Sequence, residues 1–255
     1  MFLSLRDSLA KLQTDWVDIL YLHWWDYSTT IEEVMDGLDI LVKQGKIMYL
    51  GVSDTPAWVV SAANTYAAAQ GKTPFVVYQG RWNIMVRDLE REILPMARHF
   101  GMAIAPWDVL GGGKFKTKAQ IEERKTESGA GGKLRSLLDD GSVTADQEVY
   151  SAALEKVASE VGVKSLTAVA LAYVLAKAPY VFPIVGGRKV AYLHDNIEAL
   201  AIRLSSEQIA YLEGVRPFDL GFPSSLLGTD VGENFLMRSA VDLAFVRPPK
   251  AIGYE

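Results

Sequence analysis

The sequence predicts an α/β fold of repeated strand–helix units, closed as a barrel rather than opened as a doubly wound sheet. Three observations carry this reading. Five short apolar, β-branched or aromatic runs recur, at residues 18–22 (DILYL), 47–52 (IMYLGV), 75–79 (FVVYQ), 102–106 (MAIAP) and 181–185 (VFPIV). Segments of helical period separate them, and the first four runs start about 27 to 29 residues apart, the length of a right-handed βαβ crossover in a parallel sheet. Each run also ends on polar or aromatic residues: His23, then Ser53 and Asp54, Gln79, Trp107 and Asp108, and finally Gly186, Gly187, Arg188 and Lys189. In a barrel those exits meet at one rim, where the chemistry of such folds sits. A doubly wound sheet shares the rhythm, but no G-x-G-x-x-G follows any run, so its usual dinucleotide turn is missing.

Taken in order, the chain opens on an amphipathic helix, MFLSLRDSLAKLQTDW. Arg6 and Asp7 stand where a signal peptide would carry its apolar centre, and no small-residue cleavage site follows. The opening therefore reads as the middle of a structured element. The apolar runs are continuous rather than alternating, the pattern of strands buried on both faces. Between them, residues 31–44 place Val34, Leu38 and Leu41 on one helical stripe and stop at Gly45. Residues 56–70 start at Pro56 and stop at Gly71, and residues 87–100 read as one helix stopping at Gly101. Residues 111–145, rich in Gly, Lys and Glu, break the rhythm and read as a long mobile excursion with at most one short helix, the charges at 122–125 being solvated surface. Helices resume over 145–161, 165–178, 190–201 and 205–215, the last with a Ser-Ser-Glu start. The tail reads as loop plus one terminal helix, and residues 1–255 as a single domain.

Composition bounds the function. The chain is 49% apolar and 22% charged, as expected of a globular protein with a substantial core. A net charge of −5 points away from nucleic acid and anionic membranes. Cysteine is absent, which excludes disulfide scaffolds, thiolate zinc sites and cysteine nucleophiles and fits a reducing, cytoplasmic setting. No apolar run reaches the roughly 18 residues that would span a bilayer, and no metal site is expected.

Five stretches spanning nearly the whole chain carry a more specific message: KLQTDWVDILYLHWWD, GLDILVKQGKIMYLGVSDTPAW, FVVYQGRWNIMVRDLEREILPMAR, GMAIAPWDVLGGGKF and FPIVGGRKVAYLHDNIEAL. In them the sequence resembles the aldo-keto reductase superfamily, and within it the fungal aryl-alcohol dehydrogenase and norsolorinic acid reductase group. The resemblance implies a (β/α)8 barrel of TIM type binding NADP(H) across its rim, with a catalytic tetrad of Asp, Tyr, Lys and His. It further implies that this chain is N-terminally truncated. It would carry strands four to eight with their helices and lack the first three units, which hold the Asp, Tyr and Lys. His23, at the end of YLHWWD, matches the tetrad histidine. Ser53 and Gln79 match positions that bind the nicotinamide carboxamide, Trp107 the aromatic stacked on the nicotinamide ring, and Gly111, Gly112, Gly113 and Lys114 the loop over the pyrophosphate. Gly187, Arg188 and Lys189 match the helix start that takes the 2′-phosphate, favouring NADP over NAD, and Asn196 the residue that contacts adenine.

Read without the resemblance, each residue has a plainer role. His23 and Trp107 suit packing, Ser53 and Gln79 strand capping, the GGGK run a solvated loop, and Asn196 a surface helix. Three functions stay open. The first is an NADP(H)-dependent oxidoreductase acting on aryl aldehydes, aryl alcohols or aromatic polyketide ketones, by resemblance in secondary metabolism of the aflatoxin or sterigmatocystin type. It would turn over poorly, because a tuned proton donor supplies much of the rate in carbonyl reduction. The others are a degenerate nucleotide-binding paralogue with a structural or regulatory role, and a non-redox cyclase or dehydratase using His23 and rim carboxylates. Five strands also leave two apolar edges, which a homo-oligomer would cover.

Overall fold

The computed structural model describes residues 1–117, 119–120, 144–187, 189–229, 234–242, 244, 246 and 248–254. Most of the excursion, including the charges at 122–125, and Arg188 lie outside them. The chain forms two compact units, one of Met1–Gly80 with Glu92–Ala105 and one of Arg81–Arg91 with Pro106–Glu255. Four strands form one parallel sheet in the order β1-β2-β3-β4: β1 (Val17–Leu22), β2 (Ile47–Ser53), β3 (Phe75–Arg81) and β4 (Ala103–Trp107).

In the first unit, helix α1 (Phe2–Leu12) precedes β1, and α2 (Ile31–Lys43), α3 (Ala57–Ala69) and α4 (Ile93–His99) follow the first three strands. The stops at Gly45, Gly71 and Gly101 hold, each with positive φ. Thr30 caps α2 by accepting the Glu33 amide hydrogen, and Val34, Met35, Leu38 and Leu41 turn its apolar stripe inward to meet Leu50, Val52, Val59 and Val60 in the buried core.

Two expectations fail here. The helix expected over 87–100 is a 3-10 turn (Asp88–Glu90) followed by the short α4. Pro95 lies in the first turn of α4, where its missing N–H costs nothing, but its ring blocks continuation of the helix back through residue 91. The first strand is also not buried on both faces: Asp18 is exposed and Ile19 is 43% exposed. β1 is the edge of the sheet, so only its β2 side is covered.

Buried polar groups tie helices to strands. Asn64 of α3 donates from Nδ2 to the Phe75 carbonyl (3.0 Å) and accepts from the Phe75 amide at Oδ1 (2.8 Å), standing in for a strand neighbour at the start of β3. Asp39 of α2 takes the Thr73 amide (3.0 Å) and hydroxyl (3.1 Å) and pairs with Lys43 (2.7 Å). The Lys43 hydrogen bond leads in holding its carboxyl below the ordinary range, with burial opposing and the Thr73 bonds adding to it.

In the second unit, α5 (Ala145–Val161), α6 (Leu166–Lys177), α7 (Val190–Glu198) and α8 (Ser206–Gly214) pack together, with short helices α9 (Ser224–Leu227) and α10 (Phe235–Ala240) in the tail. Thr144 with Gln147 and Ser205 with Gln208 form capping boxes at the starts of α5 and α8. The fifth expected strand is absent. Residues 182–187 form no ladder, Val181 makes an isolated bridge, and the Ile184 amide donates to the Pro106 carbonyl (2.8 Å). Pro183 removes the donor that a continuous ladder would need. Among the described residues no single helix is long and apolar enough to cross a membrane.

A buried ion cluster joins the Asp88–Glu90 turn to α6 and α8. Arg87 makes a two-pronged contact with Glu90 (2.9 and 2.7 Å) and reaches Glu213 (3.2 Å), while Lys177 pairs with both Glu90 (3.3 Å) and Glu213. Trp82 donates from Nε1 to Glu90 (3.1 Å) and the Tyr173 hydroxyl donates to Glu213 (3.0 Å). Burial alone would raise the Glu90 pKa, but Arg87, Lys177 and Trp82 together hold it below its ordinary value. Because the folded value is lowered, the stabilisation is complete above the ordinary glutamate value of 4.5 and is lost as pH falls from there through the folded value.

Two predictions follow from these anchors. Asn64→Asp should lose about 2 kcal/mol at neutral pH, since an ionised carboxylate faces the Phe75 carbonyl, and less in acid, where a protonated carboxyl regains a donor; urea titration at both pH values measures this. Glu90→Gln should lose about 3 kcal/mol by leaving buried cations half-paired and should flatten the acid limb of stability against pH. An unchanged acid limb would remove the cluster from the account.

Candidate active site

Parallel pairing delivers three of the expected residues to neighbouring strand ends within the first unit. Leu22 pairs with Val52, and Ser53 pairs directly with Gln79. His23 follows one residue beyond the Leu22–Val52 pair, so His23, Ser53 and Gln79 occupy the C-terminal ends of β1, β2 and β3 in turn. Because side chains alternate along a strand, this register decides which groups leave the sheet at that edge.

Their surroundings differ. His23 is exposed and stacks on Trp24, with ring centroids 4.6 Å apart; it does not end a strand buried on both faces. Ser53 is buried, its hydroxyl donating to Asp54 (3.3 Å) and its carbonyl accepting the Thr55 hydroxyl (2.9 Å). The Asp54 amide donates to the Gln79 carbonyl (3.0 Å), leaving the half-buried Gln79 side chain beside Ser53. Tyr78, next to Gln79, is buried, donates its hydroxyl proton to the Thr55 carbonyl (2.8 Å) and accepts from the Thr55 amide (3.1 Å). Burial pushes its pKa up to about 12. It stays neutral near pH 7 with its hydroxyl bonded to Thr55 on both sides.

The second unit holds the remaining residues. Trp107 ends β4 half-buried, its carbonyl accepting the Trp82 amide (3.2 Å) and its ring 5.9 Å from the Arg81 guanidinium. The turn Gly111–Gly113 has three consecutive left-handed residues, with φ of 58°, 64° and 78°, which only glycine adopts without strain. A Cβ on Gly111 would also stand 3.0 Å from the Phe115 ring. The amides of Gly111, Gly113 and Lys114 already donate within the turn, to Asp108, Leu110 and Gly111. Lys114 is buried, at 4% exposure, so this end of the excursion is ordered core rather than solvated loop. Gly187 is exposed and Lys189 is the first residue before α7, with its ammonium 5.9 Å from the Tyr192 ring centroid. Asn196, expected on a surface if structural, is buried.

Arg81, Asn83 and their bonds to Asp108 were not anticipated. Arg81 donates from Nε to Asp108 (2.7 Å), and the fully buried Asn83 donates to the Asp108 carbonyl (2.9 Å). The signal was the polar pair inside QGRWN, just past an apolar strand. Periodicity does not distinguish such residues from ordinary loop polarity. Among the described residues, no cluster of His, Cys, Asp or Glu is suited to a metal ion.

The Aldo/keto reductase family profile matches residues 3–217. The chain belongs to the aldo/keto reductase family. A putative aryl-alcohol dehydrogenase of Saccharomyces cerevisiae is 62% identical over 230 residues, covering 90% of this chain and 60% of that protein. An aryl-alcohol dehydrogenase [NADP(+)] of Phanerodontia chrysosporium is 56% identical, covering 94% of this chain and 62% of the relative. Norsolorinic acid reductase B of Dothistroma septosporum is 46% identical, covering 99% and 65%. The chain thus spans less than two thirds of each of these three relatives. The crystal structure of a thermostable aldo-keto reductase bound to the inhibitor epalrestat superposes with a TM-score of 0.64 at 27% identity, covering 84% of this chain and 65% of that one. The fold is accordingly that of the aldo/keto reductases, of TIM-barrel type.

One aldo/keto reductase strand end is open to a direct steric test. Gly51 lies opposite Tyr21, and a Cβ there would stand 2.6 Å from two atoms of the Tyr21 ring. Gly51→Ala should lose about 1–3 kcal/mol by overpacking, and Tyr21→Leu in the same chain should recover most of it. Thermal melts of the two single variants and the double variant measure the recovery; additive losses would show that the ring is not the obstacle.

Proposed function

We propose that this chain is an NADP(H)-dependent oxidoreductase interconverting aryl aldehydes or aromatic polyketide ketones with the corresponding alcohols. The observation that carries the proposal is the direct pairing of Ser53 with Gln79, one step beyond the Leu22–Val52 pair that leads to His23. A hydroxyl and a primary amide side by side offer the donors and acceptors that a nicotinamide carboxamide requires. The names of the relatives support the substrate class and, in one case, the cofactor.

The residues fit the dinucleotide in chemical type. Ser53 and Gln79 would hold the carboxamide, and Trp107 would offer an indole face to the ring. Gly112 and Lys114 would serve the pyrophosphate, with less help from the neighbouring amides than glycine content alone implies, because three of those already bond within the turn. Arg188 and Lys189 would meet the 2′-phosphate as charged groups and Gly187 through its backbone, just before a helix start, and Asn196 would meet the adenine. When bound, the nicotinamide supplies or accepts the hydride. His23 would orient the carbonyl by a hydrogen bond.

On this reading β1 to β4 are the fourth to seventh barrel strands, and residues 181–185 stand in place of the eighth. A second reading is nucleotide binding with little turnover, favoured by Tyr78, a tyrosine at this edge, being buried and committed to Thr55.

Tryptophan fluorescence on NADPH addition should show saturable quenching that is weaker for NADH. Gln79→Leu should weaken NADPH binding about three- to ten-fold, as expected for losing hydrogen bonds between uncharged groups. NADPH consumption with veratraldehyde then separates the two readings. Quenching with turnover supports the first, quenching without turnover the second, and no quenching sinks both.

A further inference from the structure

Asp108 carries several hydrogen bonds at the β4 exit, and its backbone is held in an unusual state. Its φ is +59°, in the left-handed region that a non-glycine residue occupies at a cost unless its surroundings enforce it. The enforcing contacts converge on it. Its carboxylate takes Arg81 Nε at 2.7 Å and Asn83 Nδ2 at 3.4 Å, and its carbonyl takes Asn83 Nδ2 at 2.9 Å and the Gly111 amide at 2.9 Å. Asn83 is itself locked, since its Oδ1 accepts the amides of Met85 (2.8 Å) and Val86 (2.9 Å). The second carboxylate oxygen lies 3.7 Å from where a Cβ on Gly112 would stand. Arg81 meanwhile places its guanidinium 5.9 Å from the Trp107 ring centroid, within range of a cation–π contact.

These contacts tie one side to Trp107 and the other to the Gly111–Gly113 turn. We propose that Arg81, Asn83 and Asp108 form a positioning clamp for the nicotinamide end of the dinucleotide. Arg81 fixes the indole plane while Asp108, bent left-handed, aims the glycine turn. The clamp rests on the reading of Trp107 as the nicotinamide platform. It goes beyond that reading in assigning binding energy to three residues that need not touch the cofactor. An aromatic face held in one orientation gives up less freedom when a ring docks on it, so losing the clamp should weaken the nicotinamide end specifically.

The test uses the whole chain and two ligands, NADPH and adenosine 2′,5′-bisphosphate, which lacks the nicotinamide. Asp108→Gly is the informative variant because glycine accepts the left-handed backbone without strain yet removes the carboxylate. Expected are a weakening of NADPH binding by about five- to ten-fold in Asp108→Gly and in Arg81→Gln, and binding of the bisphosphate within about two-fold of the unchanged chain. Asp108→Asn, which keeps an acceptor for Arg81 and tolerates positive φ, should recover part of the loss. The double variant Arg81→Gln with Asp108→Gly should bind no worse than the poorer single one, since both break one contact. Equal loss of both ligands, or NADPH affinity unchanged while Trp107→Ala abolishes it, overturns the clamp and leaves the cofactor reading standing. Failure of NADPH to bind the unchanged chain overturns both together.

Discussion

Which side chains leave the sheet at its C-terminal edge depends on the register of β1, β2 and β3. In that register Tyr21 lies across Gly51, Leu22 across Val52 and Ser53 across Gln79. A slip of one residue would turn Ser53 toward the opposite face and bury or expose every neighbour wrongly. Glycine at position 51 admits the Tyr21 ring, while Leu50 and Val52, both fully buried, bind the strand to the helices beneath. The register is thus held from two directions, by close ring-to-backbone contact between strands and by apolar burial under them.

The two units stabilise their polar groups differently. In the first, neutral or singly charged side chains cap individual backbone groups, as Asn64 does at Phe75 and Asp39 at Thr73. Both tie a helix to the start of β3, Asn64 from α3 and Asp39 from α2. In the second, Arg87, Glu90, Lys177 and Glu213 share charge across three segments far apart in sequence. Such a cluster contributes less to net stability than its contacts suggest, because desolvation opposes it. It does specify geometry, since each charge has partners in one arrangement only. Glu90 also anchors Trp82, the residue between Arg81 and Asn83, so the cluster and the β4 exit are mechanically adjacent in the chain.

The βα rhythm was legible because continuous apolar runs and glycine stops follow directly from burial and backbone sterics. Four strands and the main helices lie where those signals put them, with ends shifted by one or two residues. The misreadings share a cause: proline inside an apolar or helical stretch. Pro183 leaves 181–185 without a ladder, and Pro95 splits the expected helix over 87–100. The exposure of β1 was not legible, since hydrophobicity records what a strand can bury rather than which neighbour covers it. The clamp at Asp108 was hidden for another reason. Arg81 ends β3, Asn83 follows it and Asp108 follows β4, and only the fold brings their polar atoms within bonding distance.

The chemistry open to this edge follows from what each group can do with a proton. Ser53 and Gln79 exchange hydrogen bonds without changing charge, which suits holding a carboxamide and not driving a reaction. Tyr78 has a proton, but burial raises its pKa and Thr55 occupies it, so releasing it near neutrality is opposed twice. His23 is exposed and stacks on Trp24, a contact that orients the ring loosely compared with a hydrogen-bonded second partner. Binding a dinucleotide and orienting a carbonyl need complementary surfaces rather than a tuned acid. Stabilising a developing alkoxide needs a donor matched in pKa and aimed at one oxygen, and Tyr78, committed to Thr55, is not such a donor. Holding a carboxamide and donating a proton thus make different demands on the groups at this edge.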